Sequence, residues 1–202
     1  MKYTKVSTTT FQHLQLNAGV LLSEFDPATP AAPSDSTILG ETSGGSNFKA
    51  EPSYIDFGED IDNVPANTKE LKRIDNIEVT LSGDFISMTP ALAKRLAAAA
   101  DLSGNKITPR MTLKDADFAD VWLVCDYSDV NEDGTGTGAN TVKAGFIAIH
   151  IINALNTNGF EIQTNNKGKG TFPFEFTGHY SIDEPETVPF EIYVSAGNGA
   201  QG

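Results

Sequence analysis

Between Gly159 and Val194 the chain carries three short runs in which apolar and polar residues alternate. Phe160 and Ile162 share one parity, and so do Phe172, Phe174, Phe176 and Tyr180, with Gly178 in step. Val188, Phe190, Ile192 and Val194 repeat the pattern. Side chains alternate faces along a strand, so each run presents one apolar and one polar face. The separators, Asn165-Asn166-Lys167-Gly168 and Asp183-Glu184-Pro185-Glu186, are turn chemistry. The pattern predicts an antiparallel meander lying over a core.

Upstream runs fit the same class. Leu14 to Leu22 alternates as a first strand, and Asn76 to Met88 places Ile77, Val79, Leu81 and Phe85 on one face, with Gly83 marking a bulge or a close approach. Val121 to Cys125 reads as a central buried strand, and Gly145 to Leu155 as a long strand apolar on both faces. Thr89 as N-cap and Pro90 at the first helical position predict one helix, to about Ala100, with Lys94 and Arg95 facing water. Twelve Phe against one Trp and three Met, with 18 Gly and 10 Pro, suit many short strands packed through aromatics. The fold class expected is mainly β: a β-sandwich or half-open β-barrel with one flanking α-helix over about 89–100 and long extended loops. All 202 residues form one domain in this reading, with a loose N-terminal arm over 1–10 and a flexible C-terminal tail over 197–202.

Three stretches resist assignment to elements. Glu24 to Thr37 holds three prolines and reads as a loop, and Gly40 to Asn47 reads as a break. Residues 48–69 form a long acidic excursion in which Tyr54, Ile55, Phe57, Ile61 and Val64 fit neither period. Part of it reads as strand and part as an extended segment whose apolar residues need a partner, either in their own domain or on another subunit.

Chemistry is sparse. The motif Asp129-Val130-Asn131-Glu132-Asp133-Gly134 matches the first half of a calcium loop, which makes Asp129, Asn131 and Asp133 candidate ligands. Position twelve, however, is Asn140 in place of a bidentate Glu. His13, His150 and His179 are far apart and form no zinc-spaced pair. Cys125, the one cysteine, excludes an internal disulfide, and Asp126 and Asp129 beside it disfavour a thiolate. No catalytic residue, cofactor or metal is expected from these residues, and the chain reads as not an enzyme. A net charge of −13 argues against gripping a phosphate backbone. The opening stretch lacks the apolar core of a signal peptide, and no run approaches the ~18 apolar residues of a membrane span. Membrane insertion is therefore not expected, and the chain is expected to stay in a cytoplasm-like compartment or to leave it by another route.

Three segments resemble the major tail proteins, or tail tube proteins, of long-tailed bacteriophages and related prophages. They are DFGEDIDNVPANTKELKRIDNIEVTLSGDF (Asp56 to Phe85), GFIAIHIINALNTNGFEIQ (Gly145 to Gln163) and KGKGTFPFEFTGHYSIDEPETVPFEIYV (Lys167 to Val194). The likeness spans about Phe11 to Val194 and is one of overall pattern, without a catalytic signature. It implies a β-sandwich or half-open barrel, hexameric rings stacked into a tube, and a virion location after assembly in the bacterial host cytoplasm. It also implies partners: further copies of this chain, other tail proteins such as the tape measure and terminator, and DNA that passes without specific binding. By the same resemblance the excursion is the bridging loop, with Phe57, Asp60, Ile61, Asp62, Asn63 and Pro65 in inter-subunit or inter-ring contact. Glu78, Asp84, Glu161 and Glu175 are the candidate acids of a lumen that repels phosphate. The alternative function is a β-sandwich binding module, dependent on calcium or carbohydrate, using the 129–140 loop on a virion or cell surface.

Overall fold

The computed structural model describes residues 14–127 and 145–195. The arm over 1–10, the loop over 129–140 and the tail over 197–202 lie outside the described residues. The chain is mainly β, with three sheets, one short helix and a sandwich-like layering. A five-stranded antiparallel sheet has the order β11-β8-β7-β1-β2, where β1 is Gln15–Leu22, β2 Ile38–Gly40, β7 Val121–Tyr127, β8 Gly145–Ile151 and β11 Phe190–Ser195. A four-stranded sheet has the order β3-β4-β10-β9, where β3 is Thr42–Asp56, β4 Lys72–Phe85, β9 Leu155–Asn156 and β10 Phe172–Thr177. A small hairpin pairs β5 (Ala100–Ser103) with β6 (Lys106–Pro109).

The core lies between the two large sheets. Val79, Leu81, Phe85, Phe174 and Phe176 come from the four-stranded sheet, and Leu21, Val121, Leu123 and Ile151 from the five-stranded one. Phe85 and Phe174 sit with ring centroids 4.5 Å apart, and Phe174 and Phe176 at 5.2 Å. Helix α1 (Pro90–Leu96) adds Leu92 and Leu96. Its start is as expected: the Thr89 hydroxyl accepts from the Leu92 amide at 3.1 Å, and Pro90 follows the cap. Its end is not. The helix stops at Leu96, Ala98 adopts φ 56°, and Ala100 already pairs with Pro109 in the hairpin. Gly104 at φ 61° takes the first central position of that hairpin's two-residue turn, where a positive φ is required. Nor does Arg95 face water. Its guanidinium is buried and donates to the carbonyls of Ala119 at 2.7 Å and Asp120 at 2.5 Å, so the helix holds the segment that leads into β7. Burial lowers its pKa and the Asp120 charge partly offsets this.

The expected meander is not one. β10 and β11 belong to different sheets, and the 160–163 run contributes only a bridge between Gln163 and Thr171. Likewise the run from Gly145 to Leu155 is two strands: β8 ends at Ile151, Asn153 turns at φ 51°, and β9 enters the opposite sheet. Alternation specifies a one-sided strand, but not which of two layers it joins. Ile192 and Val194, on the core parity of β11, are exposed because β11 is an edge strand. The break expected over 40–47 also belongs to a strand. Gly44 and Gly45, at φ 81° and 82°, form a bulge in β3 opposite Gly83. A Cβ on Gly83 would lie 3.0 Å from Phe174 and 3.1 Å from the Gly45 carbonyl, so this glycine answers to close approach.

The buried polar anchor of the fold is Asn156. Its amide donates to the carbonyls of Leu96 and Gly159, both at 2.7 Å, and its oxygen accepts from the Glu175 amide at 2.9 Å. One side chain thus satisfies an orphan carbonyl at the helix C-terminus and links it to β10. Asn156→Leu leaves those groups unpaired, each at about 1–3 kcal/mol. A thermal melt should show a Tm loss of several degrees, whereas Thr157→Ala on the surface should stay close to wild type.

Candidate assembly surfaces

β3 and β4 pair from Thr42↔Phe85 to Asp56↔Lys72. β10 covers β4 only as far as Thr80, which pairs with Thr177. Beyond that point the hydroxyl of Tyr180 takes over, accepting from the Ile77 amide at 3.1 Å and donating to the Ile77 carbonyl at 3.3 Å. Past Ile77 only two strands remain, and the hairpin runs on past the sandwich. Five residues of strand, Pro52 to Asp56, add roughly 17 Å of reach before the tip. The expected excursion therefore divides: Phe48 to Asp56 is paired strand, and only the remainder is loop.

The core's apolar stripe continues along this arm and runs out past the residues that cover it. On β3 the stripe is Phe48, Ala50, Pro52 and Tyr54; their β4 partners are Leu81, Val79, Ile77 and Ile74. Phe48 and Ala50 pack on the core, but Tyr54 and Ile74, directly opposed, are 55% and 58% exposed. Lys72 places its amine 4.9 Å from the Tyr54 ring centroid. At the tip Phe57 is 62% and Ile61 48% exposed. Two-stranded hairpins are marginal alone in water, so an arm with four uncovered apolar side chains leaves apolar area for another surface.

The tip is nonetheless built. The Asp56 carboxylate accepts from the Gly58 amide at 2.9 Å and the Asn67 amide at 2.8 Å. These bonds, Gly58 first, hold its pKa below the ordinary carboxylate value. Gly58 is buried, and a Cβ there would come 2.9 Å from Leu71 and 3.4 Å from Val64. Successive turns are closed by Ile61 N–H to Gly58 O and Val64 N–H to Ile61 O, each 3.2 Å, with Asn63 at φ 64°. Phe57, Asp60, Ile61, Asp62, Asn63 and Pro65 all lie on this loop, with Phe57 adjoining the end of β3 and all six exposed. Tyr54, Ile74 and Asp56 were not among the contact residues expected from sequence. The signal for Tyr54 was there, as the apolar parity of β3 carried past the core, whereas Ile74 is off the parity of Ile77, Val79 and Leu81 and meets Tyr54 only through the irregularity between Ser53 and Tyr54.

The candidate lumen acids separate. Glu78, Asp84 and Glu175 share the outward face of the four-stranded sheet, beside Ser82, Thr80 and Thr177. Glu51 of β3 joins them, directly opposite Glu78, a like-charge pair relieved by the ion pair of Lys49 with Glu51. Glu161 is not on this face. It lies in the loop before the Gln163 bridge and accepts from the Gln163 side chain at 2.9 Å.

The opposite outer surface is apolar and covered. Leu22, Trp122 and Ala148 form a second cluster on the far side of the five-stranded sheet, with Val20 and Phe146 packed around them. The loop over 23–37 folds back on it, setting Phe25 5.7 Å from Trp122 and 5.2 Å from Phe146. His150 belongs to this face and not to the core. It stacks on Trp122 at 4.0 Å, with Nε2 2.9 Å from Asp120 and Nδ1 3.4 Å from Glu191. His179 bonds through Nδ1 to the Asn153 carbonyl at 3.1 Å and sits edge-on to Phe118. Cys125 is buried, and burial, then Asp126, raises its thiol pKa. Asp129, Asn131 and Asp133 lie outside the described residues. Among the described residues no group of three or more His, Cys, Asp or Glu side chains is arranged to hold a metal ion, and no helix is long and apolar enough to cross a membrane. No protein-family model matches the chain, and no curated protein matches it.

Asp56 sets a pH window for the tip. Its folded pKa is depressed, so its contribution is complete above the unfolded value, about 3.9, and is lost as pH falls through the folded value. Hydrogen exchange should show the Gly58 and Asn67 amides equally protected at pH 7 and pH 5. Asp56→Asn should reduce that protection at both, with the core amides unchanged.

Proposed function

We propose that this chain is a structural, self-assembling subunit of a bacteriophage tail tube, stacked in rings around a conduit for DNA. The observation that carries the reading is the β3–β4 arm, whose ordered tip and uncovered apolar stripe extend past the core that would otherwise bury them. Such an arm suits a bridge to a neighbouring subunit or ring. The second support is the outward face of the four-stranded sheet. It bears Glu51, Glu78, Asp84 and Glu175, Lys49 being the base paired there, with hydroxyls between them. Turned inward in a ring, that surface would repel phosphate. In this reading the covered Trp122 cluster belongs to the outside of the tube.

The subunit acts by shape and charge and makes or breaks no covalent bond. Its partners are further copies of itself, other tail proteins such as the tape measure and terminator, and DNA in transit. Its place is the virion tail, reached from the host cytoplasm.

Negative-stain microscopy of the purified chain over a range of concentrations should show rings or tubes with a central hole. A particle that stays monomeric at every concentration counts against the reading. Phe57→Ser with Ile61→Ser should abolish the tubes and leave the far-UV circular dichroism and Tm of the subunit unchanged, since both side chains are exposed. Tubes that persist in this variant would move the bridge off the arm.

A further inference from the structure

We infer that Asn158 is a site of spontaneous covalent modification. Its side-chain amide closes onto the backbone nitrogen of Gly159 and opens as aspartate or isoaspartate, and the isoaspartate form loosens the Asn156 anchor between helix α1 and β10. This does not depend on the tail-tube reading. Of the described asparagines, only Asn158 is followed by glycine. Glycine has no Cβ to obstruct attack by its own nitrogen. The space beside it is open as well. A Cβ on Gly159 would meet nothing within 4 Å beyond its chain neighbours, and the residue's φ of 76° lies in the left-handed region that favours glycine.

The segment is held on both sides and free in the middle. The Thr157 amide donates to the Glu175 carbonyl at 2.8 Å, and the Gly159 carbonyl accepts from the Asn156 side chain at 2.7 Å. Between them Asn158 is exposed. Among the described residues neither its side-chain amide nor the Gly159 N–H makes a hydrogen bond. The two reacting groups therefore sit on adjacent residues with no competing partner. The other asparagines nearby differ. Asn153 and Asn156 commit their side-chain amides to the carbonyls of His179 at 3.3 Å and Leu96 at 2.7 Å. Asn165 and Asn166 are exposed, but each precedes a residue that carries a Cβ.

The step needs only water. The Gly159 nitrogen bonds to Asn158 Cγ while its proton passes through solvent to Nδ2. The Cγ–Nδ2 bond breaks, ammonia leaves, and a succinimide ring is closed. Water then opens the ring. Attack at Cγ restores the ordinary main chain with aspartate at this position. Attack at the main-chain carbonyl carbon of Asn158 gives isoaspartate, in which the chain runs through Cβ and Cγ. Either product adds a carboxylate to a chain of net charge −13. Only isoaspartate lengthens the main chain, by the Cβ of this residue. The extra atom falls between Thr157, which is tied to β10, and Gly159, whose carbonyl serves Asn156. That carbonyl is drawn off the Asn156 amide, and the buried anchor loses one of its three hydrogen bonds.

Ageing of the full chain in mildly alkaline buffer tests this, with tryptic peptides followed by mass spectrometry and isoaspartate labelled by an isoaspartyl methyltransferase. Trypsin cuts after Lys167 and Lys169, and so parts Asn158 from Asn198-Gly199, the other Asn-Gly pair of the sequence. Conversion at Asn158 should outrun that at every other described asparagine by at least about tenfold, the rate ratio of a barrier lower by about 1.4 kcal/mol. Asn158→Gln, whose longer amide would close a larger ring, should lose the signal. The aged chain should melt below the fresh one, by less than Asn156→Leu does, and Asn158→Gln aged alike should not. Asn158→Asp, which adds the charge without lengthening the chain, should melt with wild type. If Asn158 converts no faster than Asn165 or Asn166, the modification site is not there. If the converted chain melts with the fresh one, the link to the Asn156 anchor is wrong. Neither result bears on whether the chain forms tubes.

Discussion

The β3–β4 ladder is longer than the core beneath it, and most of the molecule's surface character follows from that mismatch. Backbone pairing continues for as long as both chains stay extended, but apolar burial ends where the opposite sheet ends. At Ala50 and Val79 the two conditions hold together. At Tyr54 and Ile74 the first holds without the second. Tyr180 marks the boundary, its hydroxyl replacing the strand that would otherwise satisfy Ile77. The arm keeps its form through Asp56 and the packing of Leu71 and Val64 around Gly58, and so holds apolar side chains in water at fixed positions.

Each sheet then uses its outer face differently. The five-stranded sheet buries Trp122 and Ala148 under a proline-rich loop. The four-stranded sheet leaves its outer face bare, and that face is polar and acidic. A sheet with one uncovered face needs polar residues there, so the alternation of β4 and β10 meets a requirement of folding before any of function. The concentration of carboxylates goes beyond that requirement, since Glu51 and Glu78 are directly opposed at an electrostatic cost.

The joints between layers are polar. Asn156 joins helix to β10 through three satisfied hydrogen bonds, and Arg95 joins the same helix to the chain entering β7. Neither was foreseeable from its neighbours. Arg95 reads as a solvent-facing residue of an amphipathic helix, and Asn156 follows the Gly145 to Leu155 run with nothing local to set it apart from Asn158. Apart from Gly159, their partners are backbone groups 19 to 60 residues away, which no local period reports.

Local chemistry by itself determined the β class, the helix cap at Thr89 and Pro90, the buried parity of β4 and β10, and the exposed apolar residues around Phe57 and Ile61. These depend on strand alternation and on side-chain to backbone bonds within a few residues. The tertiary structure alone decided which layer each strand enters, so β10 and β11 part although their patterns match. It also set the bulge at Gly44 and Gly45, placed Val20 and Leu22 on the outer face with Trp122, and withheld Glu161 from the acidic face. The reason is that alternation defines two faces but not the layer beyond either. That choice falls to whatever buries most area without leaving a polar group unpaired, and only the folded chain assembles those partners.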